Sequence, residues 1–237
     1  MKISEGKKIR PQKVVIYGPE GIGKTTLAAQ FPDPLFLDLE DGSSTMDVRR
    51  VEDIGSWDTL LGVINEIYKD PGICKTLVID TADKAENMAV KAVCEERGLK
   101  GIEDAGYGKG YTYLFEKMAY LLTGLDYLIR KGVNVVILAH AQMRKFEQPD
   151  ELGAYDRWEL KLSKKSAPLV KEWADIMLFC NYKTNVSISQ DGKAKASGGK
   201  RVMYTSHHAC WDAKNRHGLP AQLDMDYKHI KHIFEEE

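Results

Sequence analysis

The order of apolar runs predicts an α/β fold with a mainly parallel sheet, helices on both faces and an antiparallel extension at the C-terminal end. Short runs rich in Val, Ile and Leu recur along the chain without the alternation of a half-exposed strand, as expected where both faces are buried. Segments of helical period separate them, the pattern of crossover connections. Several runs end in an acid or a histidine, which would gather polar side chains at one edge of the sheet.

Residues 1–12 are polar and basic and read as a short tail before a single domain over 13–225; a second tail is expected over 226–237. Val14–Tyr17 is the first strand, and 24–30 the first helix. Leu35–Leu39 is the second strand. Asp58–Tyr68 has apolar residues at the 3.6-residue spacing, so 56–69 is a helix. Thr76–Asp80 and Val133–Ala139 are strands, with helices over 83–97 and 111–131 between them. A helix over 166–173 precedes two strands, Ile176–Tyr182 and Val202–Ser206, joined by a hairpin tip at 190–200. Residues 98–110 carry Gly98, Gly101, Gly106, Gly108 and Gly110, and 143–165 are highly charged without a sustained period. Both are expected to be loose loops, the kind more often functional than structural.

The chain of 237 residues is long enough for one large core. Its formal net charge of −1 excludes a globally basic nucleic-acid binder, so any such contact must rest on local patches. Cys74, Cys94, Cys180 and Cys210 are widely spaced, which fits reduced thiols better than a disulfide framework. There is no apolar run of membrane-spanning length and no signal-peptide core, so a cytoplasmic protein is expected.

The most informative stretch is Gly18-Pro19-Glu20-Gly21-Ile22-Gly23-Lys24-Thr25-Thr26, which matches G-x-x-x-x-G-K-[ST] between a strand and a helix. Glycines let backbone N–H groups approach phosphate oxygens with no Cβ in the way. Lys24 would contact the β- and γ-phosphates, and the Thr25 hydroxyl would ligate Mg²⁺. The stretch predicts that the protein binds a nucleoside triphosphate, ATP, with Mg²⁺.

Hydrolysis needs further groups. Asp80 ends an apolar strand and would hold the Mg²⁺ shell; its other reading is a helix N-cap. Glu40, after Leu35–Leu39, is the candidate base that orients or deprotonates water, with Asp38, Asp41 and Glu86 as competitors. His140 or Gln142, at the end of the 135–142 run, could hydrogen-bond the γ-phosphate and report its presence to the loop that follows.

Together these residues resemble the RecA superfamily of ATPases. Gly18-Pro19-Glu20 and Gly23-Lys24-Thr25-Thr26-Leu27 are similar to the RecA phosphate loop, and Phe36–Glu40 to the strand that ends in its catalytic glutamate. The resemblance implies a γ-phosphate sensor at His140, where the family has glutamine; Gln142 remains a rival. Asp212–Gly218 resembles the Lys-Asn-Lys/Arg element of RecA, RadA and DnaB-type helicases, which implies that Lys214 and Arg216 act on a neighbouring subunit's ATP. The order of elements matches over about 12–220, and small phage-encoded RecA-like recombination and annealing ATPases are the nearest in kind. The segments 98–110 and 143–165 fall where RecA has its DNA-binding loops, so Lys109, Arg144, Lys145, Lys161, Lys164 and Lys165 are candidate contacts to single-stranded DNA. With only about a dozen residues before the first strand, ring and filament are both open for the expected homo-oligomer.

Zinc is not expected at His207, His208, Cys210 and His217, whose spacing does not match a closed site, nor at His229-x-x-His232. The function expected is an ATPase acting on single-stranded DNA in phage recombination or strand annealing. An ATP-dependent assembly switch acting on a protein partner is the alternative, and a small-molecule kinase a weaker third.

Overall fold

The computed structural model describes residues 3, 5–6, 10–147, 153–188 and 194–235. The strands are β1 (Lys13–Gly18), β2 (Pro34–Asp38), β3 (Arg49–Val51), β4 (Thr76–Asp80), β5 (Asn134–Glu147), β6 (Ala154–Leu160), β7 (Ile176–Ile188), β8 (Ala194–Tyr204) and β9 (Gln222–Asp224). The helices are α1 (Lys24–Ala28), α2 (Trp57–Lys69), α3 (Ala82–Arg97), α4 (Lys109–Arg130) and α5 (Ser166–Trp173). The sheet order is β3-β2-β4-β5-β1-β7-β8-β9, with β6 paired to the outer part of β5. Strands β3 through β7 in that order run parallel. The pairs β5–β6, β7–β8 and β8–β9 are antiparallel.

Both faces of the sheet are covered, which accounts for the unbroken apolar runs. Val15 and Tyr17 of β1 point into a core with Leu60 of α2, Ala85 of α3, Leu121 of α4 and Val170 of α5. Val14 and Ile16 point the other way, against Ile22, Leu27 and Ala28 around α1 and against Tyr227 and Ile230. α2 begins where the Ser56 side chain accepts from the Thr59 N–H, and α3 where Thr81 accepts from Lys84. α3 ends at Gly98 in the left-handed conformation.

Several expectations are corrected. Residues 98–110 are not a loose loop, because Ile102–Ala105 form a 3₁₀ turn and α4 starts at Lys109. A Cβ on Gly110 would lie 1.9 Å from the Ile102 carbonyl oxygen, so glycine there lets the turn pack on the helix. The 143–165 segment is largely a hairpin: β5 runs on to Glu147 and pairs with β6 in register from Ala141↔Leu160 to Glu147↔Ala154. The expected tip at 190–200 is strand from Ala194 onward, and its earlier residues fall outside the described ones. The expected tail over 226–237 packs as far as Phe234. Ile230 is 1% exposed, and the Tyr227 and Phe234 rings lie 4.9 and 4.8 Å from Phe31.

Gly18 joins β1 to the glycine-rich loop, and a Cβ there would lie 2.2 Å from the Cys180 carbonyl oxygen on β7. Gly18→Ala should therefore push β1 from β7, at a cost on the order of 1–3 kcal/mol. Urea unfolding measures it, and an unchanged midpoint would mean the strands separate freely there.

Candidate nucleotide site

Parallel register brings the predicted strand tips together. Gly18 lies opposite His140, and Asp38 opposite Asp80. The loop from Gly18 to Lys24 closes over this edge, with Gly21 and Gly23 at φ of 70° and 103°, where a side chain would be strained. Among the described residues, no protein group accepts from the backbone N–H groups of Gly21, Ile22 or Gly23. Such a row of free donors fits an anion.

Lys24 is buried, and its ammonium donates to the carbonyls of Gly18 and Pro19 at 3.1 and 3.0 Å. Burial lowers its pKa, while the nearby Asp80 and Asp83 carboxylates pull it back up. Thr25 Oγ1 donates to Asp80 Oδ2 at 2.8 Å. Burial raises the Asp80 pKa against the Thr25 hydrogen bond. A hydroxyl and a carboxylate this close form a hard oxygen donor pair of the kind Mg²⁺ takes. Thr81, not Asp80, caps α3, so the N-cap reading of Asp80 does not hold.

The candidates for the base sort by what already occupies them. The Asp38 carboxylate accepts from the Ser43 hydroxyl and from the backbone N–H groups of Ser43, Gly42 and Glu40, which hold its pKa below the usual value against the opposing effect of burial. Glu86 accepts from the Ser163 N–H at 3.0 Å. Asp41 is exposed at φ 56°. Glu40 stands at the tip, and its Oε1 lies 2.9 Å from Thr81 Oγ1.

Thr81 connects Glu40 to groups that sequence reasoning missed. Its hydroxyl is also 2.5 Å from Asp83 Oδ2, so one proton is shared between two carboxylates. Asp83 in turn accepts from the His140 N–H and faces His140 Nδ1, both at 2.8 Å. One ligand atom each of Glu40, Asp83 and His140 lie within 4.8 Å of one another, and these hydrogen bonds account for the cluster. The Thr81-Ala82-Asp83 sequence reads like any helix start, which hid its second use.

The Asp83 hydrogen bond raises the His140 pKa above 6.5. Burial opposes the Asp83 carboxylate, yet the His140 and Thr81 hydrogen bonds outweigh it and hold its pKa below 3.8. The histidine's contribution is complete below 6.5 and lost as pH rises through its raised value; the carboxylate's is present above 3.8 and lost as pH falls through its lowered value. The gap in melting temperature between wild type and His140→Gln should thus be widest between pH 3.8 and 6.5 and narrow at alkaline pH. A gap independent of pH would contradict the ion pair.

Gln142 turns to the hairpin and donates to the Leu160 carbonyl at 2.9 Å, which leaves His140 nearer the site. Arg144 donates to the Leu162 carbonyl at 3.0 Å, and Lys145 is exposed on β5. Lys161 is exposed just past β6, with its N–H on the His140 carbonyl and its ammonium 3.8 Å from Glu20 of the phosphate loop. Lys164 is exposed; Lys165 donates to Thr112 at 2.7 Å, which sets this segment beside exposed Lys109 at the start of α4.

Lys214 and Arg216 do not reach this site in the same chain. Lys214 bridges to Met177 near the start of β7, and Arg216 comes no nearer to Asp175 than 3.9 Å. Their turn is firmly built. Asp212 pairs with Arg157 and with Lys171, and Asn215 donates to the Thr205 carbonyl while its Oδ1 takes the N–H groups of His217 and Leu219. Of the histidines set aside for zinc, His208 accepts from the Cys210 N–H and stacks on Trp211, and His217 pairs with Gln12.

The AAA domain family model matches residues 10–217, most of the chain. The chain belongs to the AAA domain family. This AAA domain is similar to the SPbeta prophage-derived protein YorG of Bacillus subtilis (strain 168), at 27% identity over 139 residues. That stretch is 57% of this chain but only 42% of YorG, so the match spans less than half of that relative's length. A KaiC-like protein of the archaeon Pyrococcus horikoshii OT3 shares the fold, with a TM-score of 0.51 over 88% of this chain and 83% of that one, at 17% identity. The AAA domain thus carries its glycine-rich phosphate-loop sequence on a RecA-like fold. Among its described residues, no helix is long and apolar enough to cross a membrane.

Proposed function

We propose that this AAA domain hydrolyses ATP with Mg²⁺ and couples hydrolysis to single-stranded DNA, in phage recombination or strand annealing in the host cytoplasm. The observation that carries the reading is the hydrogen-bonded path from the site to the hairpin. Glu40 meets Thr81, Thr81 meets Asp83, Asp83 holds His140, and the His140 carbonyl accepts from Lys161. A change at the phosphates thereby reaches a segment bearing Arg144, Lys145, Lys161, Lys164 and Lys165. Exposed Lys145, Lys161, Lys164 and Lys165, with the half-buried Phe146 ring on the same hairpin, suit a strand bound by its backbone and a stacked base.

In this reading the loop N–H groups and Lys24 bind the phosphates, and Glu40 takes the proton of the attacking water. Thr25 and Asp80 would hold Mg²⁺, which would supply charge compensation for the phosphates. Lys214 and Arg216, remote from their own loop, serve a neighbour's site in a homo-oligomer.

Fluorescence anisotropy with a labelled single-stranded oligonucleotide, with and without a non-hydrolysable ATP analogue, tests the DNA arm. Binding that needs the analogue and weakens with salt is expected. No binding at low salt would contradict it and favour an assembly switch acting on a protein partner.

A further inference from the structure

The C-terminal strands bring to the phosphate loop a cation that hydrolysis as proposed does not use. Arg201 on β8 donates from Nη1 to the Ile22 carbonyl at 3.4 Å, a long contact. A Cβ built on Gly23 would lie 2.7 Å from that nitrogen and 3.9 Å from the Met225 methyl carbon. The two side chains therefore flank the loop at Ile22–Gly23, in space that glycine leaves open. Backbone pairing holds them together, since the Met225 N–H donates to the Arg201 carbonyl at 3.3 Å. The neighbouring Lys200 takes Asp224 at 2.8 Å. Among the described residues, the Ile22 carbonyl is the one hydrogen-bond partner of the Arg201 guanidinium, and no ion pair holds it.

The sheet order says which end of a nucleotide would meet this pair. Asp80 on β4 and Glu40 after β2 lie on one side of β1, and β7, β8 and β9 lie on the other. A terminal phosphate facing the acids directs the rest of the nucleotide toward β8. We infer that Arg201 and Met225 form the wall against which the base of a nucleoside di- or triphosphate lies. A guanidinium is planar and weakly hydrated and stacks on aromatic faces, and a thioether is polarizable and adapts to a ring. The inference rests on the loop binding nucleotide, and it adds the nucleoside subsite on the same chain.

Calorimetric titration of the full chain with ATP, ADP and inorganic tripolyphosphate separates the ends of the ligand. In Arg201→Ala, affinity for both ATP and ADP should fall roughly fivefold to tenfold, the scale of a partly desolvated cation–π contact, with tripolyphosphate unaffected. Arg201→Gln, which keeps a donor for the Ile22 carbonyl, should give the same pattern. A loss for ATP but not ADP would put the guanidinium at the γ-phosphate and overturn the inference. An equal loss for tripolyphosphate, or no loss for any probe, would overturn it as well. Lys24→Ala should weaken all three. If the wild-type chain binds none of them, the nucleotide reading itself fails and this inference with it.

Discussion

Glu40→Gln is expected to bind ATP as the wild type does and to hydrolyse it at least ~100-fold more slowly, the scale of a lost general base. The substitution is well placed to isolate chemistry. The Thr81 hydroxyl lies 2.9 Å from Glu40 Oε1 and can donate equally to an amide oxygen, so the strand tip keeps its shape. An amide cannot take a proton from water. The rivals are tied down: Asp38 braces its own loop through Ser43, and Glu86 holds Ser163. Equilibrium binding and single-turnover hydrolysis measured on one preparation check the claim. Turnover near wild type would remove Glu40 from the base role.

The second large effect is expected at Arg216. Arg216→Ala should lower turnover by ~10³ or more, the scale of a cation supplied in trans to a phosphoryl-transfer transition state, with ATP affinity nearly unchanged. Lys214→Ala should act in the same direction. Folding should survive, because the Arg216 side chain is 74% exposed and Asp212 and Asn215 build the turn. Pulldown or light scattering with a non-hydrolysable analogue verifies that assembly persists. A loss of ATP affinity as large as the loss of turnover would place both residues outside the shared role.

What could be read from the sequence follows from where burial is two-sided. β1, β2, β4 and the first half of β5 are apolar throughout because helices and turns cover both faces. Their tips, Gly18, Asp80 and His140, are therefore legible from the amino-acid pattern alone. The second half of β5 and β6 were hidden for the opposite reason. Met143, Arg144, Lys145 and Phe146 sit on a two-stranded ribbon beyond the sheet, whose half-buried face holds Arg144 and Arg157 beside Phe146, so charge masks the alternation. Arg157 lies in the highly charged 143–165 segment, yet it is buried against Asp212, a residue far along the chain. The C-terminal turn was hidden likewise, since Tyr227, Ile230 and Phe234 stand among Lys and His; the Tyr227 and Phe234 rings pack on Phe31, and Ile230 is buried in the same cluster. Thr81 and Asp83 carry no separate signal in the sequence, because capping residues and site residues are the same residue types. Arg201 had no local signal, as its relation to Gly23 exists only through strand pairing.

An ATP site made by two chains is tested most directly by mixing two inactive variants. Glu40→Gln lacks the base but keeps Arg216; Arg216→Ala keeps Glu40. In a co-assembled equimolar mixture, about a quarter of the interfaces join an intact base to an intact arginine, the share that random assembly gives. Steady-state ATPase should then recover to about that fraction of the wild-type rate. A mixture that forms mixed oligomers yet stays as inactive as its parents would contradict the shared site.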